Sequence, residues 1–444
     1  MELSGWGGYP RGLASIVCPD RVEDLVSDVA SSVIARGLGR SYGDAAMSAT
    51  GLVIVSDKLN HVGSFDETTG LLQAEAGTTL ADIIETFVPR GWFPSVVPGT
   101  KFVSLGGCVA ADIHGKNHHH AGTFGRHVTE LEVVCADRSS VRCAPQANAE
   151  LFWATVGGMG LTGIMTKVTI EMLPVESPFM IVQNKPAKDL ETSLDMLEDK
   201  SWDDDYSVAW IDCVAGRKLG RSVLIRGHHA RQRELPPSLQ SIMTNQKTRE
   251  HKLPFGFPSW VLNRYAMAAF NEAFYHRQGR RTEPFVDTLE RFFFPLDRIA
   301  HWNRMYGRRG FVQYQCVLPL SQSERGLQEL LEELKRSGRS SFLSVLKRFG
   351  PEGEGLLSFP IEGYTLTLDF PIRDEGLFPF LDRLDEIVLK YGGRVYLAKD
   401  ARMRAETFHA MYPRLAEWQR IKARVDPDNR FESDLSRRLR MQAR

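Results

Sequence analysis

The chain has 444 residues, 43% of them hydrophobic and 25% charged, with 55 Lys and Arg against 55 Asp and Glu. This length exceeds one ordinary core and predicts two domains of soluble globular type, while the zero net charge argues against a general nucleic-acid binder, which carries a basic excess. No apolar run is long enough for a membrane helix, the N-terminal MELSGWGGYPRG lacks a basic-then-apolar signal, and the scattered Cys18, Cys108, Cys135, Cys143, Cys213 and Cys316 form no C-x-x-C pair, so reduced thiols in a cytoplasmic setting are expected.

In chain order, Val22 to Ala30 reads as a helix and Ser32 to Ala35 as a buried strand. The strand leads into Ala35-Arg36-Gly37-Leu38-Gly39-Arg40-Ser41-Tyr42-Gly43-Asp44. Its glycines allow a tight turn that approaches a ligand without Cβ clashes and presents successive N–H groups to a pyrophosphate. The spacing matches neither G-x-G-x-x-G nor the lysine-containing phosphate loop, so the stretch is informative only in combination with two further glycine segments.

Leu52 to Val55 and Leu71 to Ala74 read as strands, and Leu80 to Val88 as a helix. A second glycine-rich segment comprises Pro98-Gly99-Thr100-Lys101, Ser104-Leu105-Gly106-Gly107 and Asp112-Ile113-His114-Gly115-Lys116-Asn117-His118-His119. Glu130 to Ala136 is β-rich. A third glycine segment, Trp153 to Ile164, runs into the β-rich stretch Gly163 to Met172. The run His118-His119-His120 reads as part of a cofactor loop, and no metal is expected. Pro174 and Pro178 punctuate the chain and place a domain boundary near residue 175.

From 176 to 394 aromatic residues become dense, including Trp202, Tyr206, Trp210, Trp260, Phe270, Phe274, Phe292 to Phe294 and Trp302. Candidate strands are Ser207 to Cys213, Ser222 to Gly227, Phe311 to Leu318 and Tyr364 to Phe370. Candidate helices are Ser323 to Arg336 and Leu377 to Tyr391, the latter closed by Gly392-Gly393. The stretch Arg231 to Thr282 is expected to be a long loop with one short helix near Trp260 to Phe274, and Phe255, Phe257 and Trp260 are candidates for a membrane-surface contact. The segment 395–444 is expected to return to the first domain.

The ordered set of three glycine segments resembles the FAD-binding domain of the vanillyl-alcohol oxidase and p-cresol methylhydroxylase superfamily. The runs GRSYGD, DIHGKNHH, ELFWATVGG, GLTGI, FVQYQ, AKDAR and AETFHAMYPR further resemble its decaprenylphosphoryl-β-D-ribose 2′-oxidase subfamily, from about residue 3 to residue 440. The resemblance implies an α+β flavoprotein of two domains: an FAD domain over 1–175 and 395–444, and a substrate domain over 176–394 with an antiparallel sheet and flanking helices. It implies an oxidoreductase that turns the C2′ hydroxyl of a polyprenyl-phosphoryl-β-D-ribose into a 2-keto sugar. A separate short-chain NAD(P)H-dependent reductase would complete epimerisation to arabinose for a cell-envelope glycan. The electron acceptor, quinone or oxygen, stays open, and the enzyme would be cytoplasmic, in peripheral contact with the inner membrane face.

Carried over position by position, FAD would be held by Arg36, Gly37, Leu38, Gly39, Arg40, Ser41, Tyr42, Gly43, Gly99, Ser104, Leu105, Gly106, Gly107, His114, Gly115, Lys116, Asn117, Ile164 and Tyr396. Many superfamily members attach FAD through a histidine just before the serine of the first loop. Arg40 stands there, so dissociable FAD is expected. Lys399 matches the lysine beside the substrate and is the candidate base, with Tyr42 and His114 beside it. A surface Lys399 paired with Asp400 is the structural alternative. Lys116 or His114 is a candidate positive group for the reduced flavin. Gln313, Gln315, Lys347, Thr367 and Trp210 would face the substrate. Thr367 replaces a cysteine that nitro-aromatic inhibitors modify in mycobacterial members, which implies intact catalysis without covalent inhibition. An alditol or aldonolactone oxidase, or a non-catalytic flavin- or glycolipid-binding subunit, are the other functional readings.

Overall fold

The first glycine loop hangs from a small parallel sheet, in which Leu52–Val55 lies between Ser15–Val17 and Val33–Arg36. The structure, a computed structural model, describes residues 1–26, 32–199, 204–214, 219–244, 251–252, 264–341 and 343–442. A second, antiparallel sheet orders Ser140–Cys143, Val128–Val134, Ile164–Pro174, Leu71–Glu75 and Val62–Asp66. The far end of its long central strand pairs with Trp92–Pro94. The helix Leu80–Phe87 starts where Thr79 and Asp82 close a reciprocal capping box. Its Leu80, Ile83, Ile84 and Phe87 are all buried, the spacing of one helical face.

The third sheet has eight strands, in the order Phe285–Thr288, Phe179–Ala187, Ser222–His229, Tyr206–Ile211, Ser344–Phe349, Gly363–Pro371, Phe311–Pro319 and Arg394–Val395. All neighbours are antiparallel. Side chains alternate across such a strand, and FVQYQCVLP uses both faces. Tyr314 and Leu318 turn toward the helices Leu377–Lys390 and Ser323–Ser337, whose Leu327, Leu331, Leu334, Phe380 and Leu384 are buried. Gln313 and Gln315 turn the other way. Register places Gln313 opposite Asp369, sets Gln315, Thr367, Val345 and Trp210 in one row, and pairs Lys347 with Thr365 in the next. That polar face meets the glycine loops.

After Val395 the chain leaves this sheet. Phe431 forms a bridge with Val33, and Val33 N donates to Arg430 O at 2.6 Å. Trp418, on the helix Leu415–Val425, is fully buried and donates from Nε1 to Ala154 O at 2.9 Å. These contacts support a division that we propose in three segments: 1–175 and 395–444 around the cofactor, and 176–394 around the large sheet. Trp418→Ala should then lower unfolding free energy by about 3–5 kcal/mol, the range for deleting a buried tryptophan, measured by denaturant titration.

Two sequence expectations are revised. Val22–Val26 is a 3₁₀ turn, and residues 27–31 of the expected helix lie outside the described residues. The helix expected near Trp260 to Phe274 is observed as the 16-residue Arg264–Gly279, five residues longer at its C-terminal end, with residues 260–263 outside the described residues. Its mixed Arg, His and aromatic sequence carries little helical periodicity. Tertiary anchors hold it: Asn271 Nδ2 donates to Asp212 Oδ1 at 2.7 Å, and Glu272 pairs with Arg221 at 2.7 Å. Trp202, Phe255, Phe257 and Trp260 lie outside the described residues.

Candidate active site

The first two glycine segments touch. A Cβ built on Gly37 would sit 2.1 Å from Ser104 Oγ and 3.0 Å from its Cβ, so a larger residue there would displace the Ser104 side chain. Ser104 in turn caps the helix Leu105–Ala110 by accepting from Gly107 N at 3.3 Å. Among the described residues, the five successive N–H groups from Gly37 to Ser41 donate to no protein acceptor. A Cβ on Gly99 would meet nothing within 4 Å. Unused N–H groups on the first loop, and open space beside Gly99 on the segment it touches, suit a pyrophosphate. Arg40, at the position of the covalent histidine, stacks 4.0 Å above Trp6 and donates to Phe102 O at 2.9 Å. Its guanidinium offers no nucleophile. Cys108 is fully buried, and burial pushes its thiol pKa up.

The polar face of the large sheet supplies the opposite wall. Gln315 Nε2 donates to Thr365 Oγ1 at 3.1 Å, because that hydroxyl donates onward to Cys316 O. The same amide nitrogen lies 2.9 Å from His114 Nε2, which must therefore accept. The other ring nitrogen, His114 Nδ1, lies 3.1 Å from Lys347 Nζ. Burial, with Lys347 beside it, holds the His114 pKa well below the usual histidine value, so the ring stays neutral. Burial likewise brings Lys347 down to about 7.

Next to this row, Lys399 Nζ lies 3.8 Å above the Tyr42 ring. It is half-buried, and its neighbour Asp400 pairs with Arg438 at 2.9 Å, so the surface pair Lys399–Asp400 does not form. Burial and Lys347 bring the Lys399 pKa down to about 7, against the pull of Asp369. Asp369 accepts from Gln313 Nε2 at 2.7 Å and from Tyr306 OH at 2.9 Å. Burial raises its pKa to about 6. Tyr42 is raised well above the usual phenol value, by burial first and by Asp369 second, and remains protonated.

The remaining sequence candidates spread around this centre. Lys116 donates to Phe292 O and lies 4.3 Å above the Phe292 ring, with burial and Lys347 lowering its pKa to about 7. Asn117 Nδ2 donates to Ser95 O at 2.9 Å, while its buried Oδ1 has no partner among the described residues. Tyr396 stacks on Phe359 at 4.6 Å and donates its hydroxyl to Ala111 O at 2.8 Å, so it presents a ring face rather than a free O–H. Ile164 begins the strand beside Val134 and is buried in the cluster with Val33 and Phe431, apart from the catalytic row. Trp210 packs 4.7 Å from Phe274, in the same row as Gln315 and Thr367.

Three participants escape a reading by motif. Asp369 and Tyr306 form the buried end of the Gln313 network. Alternation in TLTLDF puts Thr365, Thr367 and Asp369 on one face, a signal that was available. The N-terminal Trp6-Gly7-Gly8 straps the site: Trp6 N donates to Ser41 O at 2.8 Å, Gly7 N to Tyr42 O at 3.2 Å, and Phe311 N to Gly7 O at 2.8 Å. Nothing local in the sequence announces that strap.

Comparison with known proteins matches residues 14–144 to the FAD binding domain and residues 314–439 to D-arabinono-1,4-lactone oxidase. The decaprenylphosphoryl-β-D-ribose oxidase of Mycolicibacterium smegmatis is 42% identical, over 99% of this chain and 97% of that protein. A Streptomyces coelicolor protein described only by its position 5′ of mprA is 35% identical, over 81% of this chain and 99% of its own length. Mouse L-gulonolactone oxidase is 22% identical, over 89% of this chain and 86% of that enzyme.

Proposed function

The chain belongs to the decaprenylphosphoryl-β-D-ribose oxidase family of FAD-dependent oxidoreductases, and on that premise we propose that it oxidises the C2′ hydroxyl of a polyprenyl-phosphoryl-β-D-ribose to the 2-keto sugar. The observation that carries the proposal is the Lys399 amine 3.8 Å above the Tyr42 ring, facing the row of Gln315, His114 and Lys347. FAD would be held without a covalent bond by residues 36–43, 99, 104–107, 114–117, 164 and 396. When bound it supplies the two-electron acceptor for the C2′ hydrogen.

Lys399 takes the hydroxyl proton. With a pKa near 7, a large fraction of the amine is neutral at neutral pH. The ammonium formed is stabilised by the Tyr42 ring face and by the Asp369 carboxylate. Tyr42 keeps its proton and serves as a donor to substrate oxygen. Gln315 and Lys347 orient ribose hydroxyls or the phosphate, His114 holds both in register, and Thr367 and Trp210 extend the wall.

The 2-keto product is consumed by an NAD(P)H-dependent short-chain reductase that returns the arabino epimer for an envelope glycan. A quinone or oxygen takes the electrons. No helix of the described residues is long and apolar enough to cross a membrane. Because the substrate is a lipid, we place the enzyme at the inner membrane face. The helix Arg264–Gly279 exposes Tyr265 and Phe270.

Anaerobic mixing with a prenyl-phosphoryl-β-D-ribose should bleach the flavin's visible absorbance and yield a 2-keto sugar by mass spectrometry. Bleaching by free alditols or lactones alone would move the protein to the sugar-lactone oxidases. The bleaching rate at saturating substrate should rise with pH and level off above a midpoint near 7, because protonated Lys399 accepts no proton. A flat profile from pH 5 to 9 would remove Lys399 as the base.

A further inference from the structure

The C-terminal helix Asp434–Arg438 takes no direct part in the oxidation, yet its last residue reaches both halves of the catalytic centre. Arg438 donates from Nε and Nη2 to Asp44 Oδ2 and Oδ1 at 2.9 and 2.7 Å. Its Nη1 donates to Asp400 Oδ2 at 2.9 Å and to Met403 O at 2.8 Å. Asp44 closes the first glycine loop, two residues past Tyr42. Asp400 follows Lys399 directly. The other Asp400 oxygen accepts from Arg402 N at 3.0 Å and Met403 N at 2.9 Å, which fixes the loop that carries Lys399. Tyr42 N donates to Ala398 O at 2.9 Å, so the two loops are already in contact.

The carboxylates of Asp44 and Asp400 are buried and close enough to repel. A planar guanidinium satisfies both at once, which an ammonium cannot do with the same geometry. Without it, two like charges would face each other in a low-dielectric gap between the Tyr42 loop and the Lys399 loop.

We propose that Arg438 is a positioning residue for catalysis, bridging Asp44 and Asp400 so that the Lys399 amine stays over the Tyr42 ring. Its guanidinium is spent on Asp44, Asp400 and Met403 O, so it acts through the two loops it joins. The inference rests on Lys399 being the base, and it predicts an effect on turnover more than on binding.

The test uses the full-chain holoenzyme of wild type, Arg438→Met, Arg438→Lys, Arg438→Gly and Lys399→Met. Arg438→Met should keep its FAD and a KM within about threefold of wild type, while kcat falls ~100-fold, the loss typical of a displacement of about 1 Å. The visible circular dichroism of its bound flavin should change. Guanidinium ion at sub-denaturing concentration should raise kcat of Arg438→Gly several-fold and leave Lys399→Met unchanged. If Arg438→Met does not fold, Arg438→Lys decides, with kcat expected about tenfold down at unchanged KM. Wild-type kcat in a folded Met or Lys variant, or a loss carried by KM alone, would overturn the proposal. If the prenyl-phosphoryl ribose fails to bleach wild type, the substrate reading falls. The flavin circular dichroism then decides the Arg438 inference alone, and identical spectra in wild type and Arg438→Met overturn it.

Discussion

Lys399→Met is expected to lower kcat roughly 1000-fold, within the range for removing a general base, with FAD content and KM little changed. Methionine keeps most of the apolar stem that fills the space above Tyr42, so the loop has no reason to collapse. What is lost is the atom over that ring able to accept the hydroxyl proton near pH 7. Tyr42 cannot substitute, because burial and Asp369 keep its phenol protonated. His114 cannot substitute either: its Nε2 lies against Gln315, and burial with Lys347 beside it holds its pKa well below the usual histidine value. Lys399→Arg should be as inactive as the methionine variant, since a guanidinium stays charged throughout the accessible pH range. Stopped-flow bleaching under anaerobic conditions reads these rates directly. A methionine variant retaining more than a tenth of wild-type kcat would assign the proton to another group.

How much of this was legible in the sequence depends on distance along the chain. The glycine loops were readable because their information is local: residue type and spacing dictate what a backbone turn can do. The strands of the large sheet were readable because Gln313 and Gln315 alternate with apolar neighbours, and alternation alone names a face. Lys399 was ambiguous for the opposite reason. The sequence shows only an adjacent Asp400 and cannot reveal that Arg438, 38 positions away, claims that carboxylate. The Asp44 partner is 394 positions from Arg438, and the Asn303 contact to Trp6 O spans 297. Such pairings depend on how finished elements dock. The helix Arg264–Gly279 runs five residues past the expected end at Phe274, because polar anchors, Asn271 to Asp212 and Glu272 to Arg221, hold it in place of a hydrophobic stripe that the sequence would have shown.

Gly43→Ala is expected to lower both turnover and FAD affinity, and it tests the geometry rather than the chemistry. A Cβ on Gly43 would lie 2.0 Å from Asp400 O and 2.8 Å from Ala401 Cα. Both are backbone atoms, and neither can swing aside as a side chain would. The opposite side of the loop is closed as well, because a Cβ on Gly5 would meet Gly43 O at 2.3 Å, so the N-terminal strap is packed against the loop without slack. One methyl group must therefore push the Lys399 loop from the Tyr42 loop by about 1 Å or more, stretching the bonds from Tyr42 N to Ala398 O and from Arg438 to both aspartates. The amine leaves its position over the ring and the pyrophosphate loop shifts with it. The variant should lose kcat by more than ~100-fold and bind FAD measurably more weakly, because both depend on the same packed layer. Fluorescence titration of the apoprotein with FAD and the bleaching assay measure the two effects separately. A folded Gly43→Ala enzyme with normal FAD affinity and turnover would mean that the two loops are not pressed together in solution, and that their contact does not hold Lys399 over Tyr42.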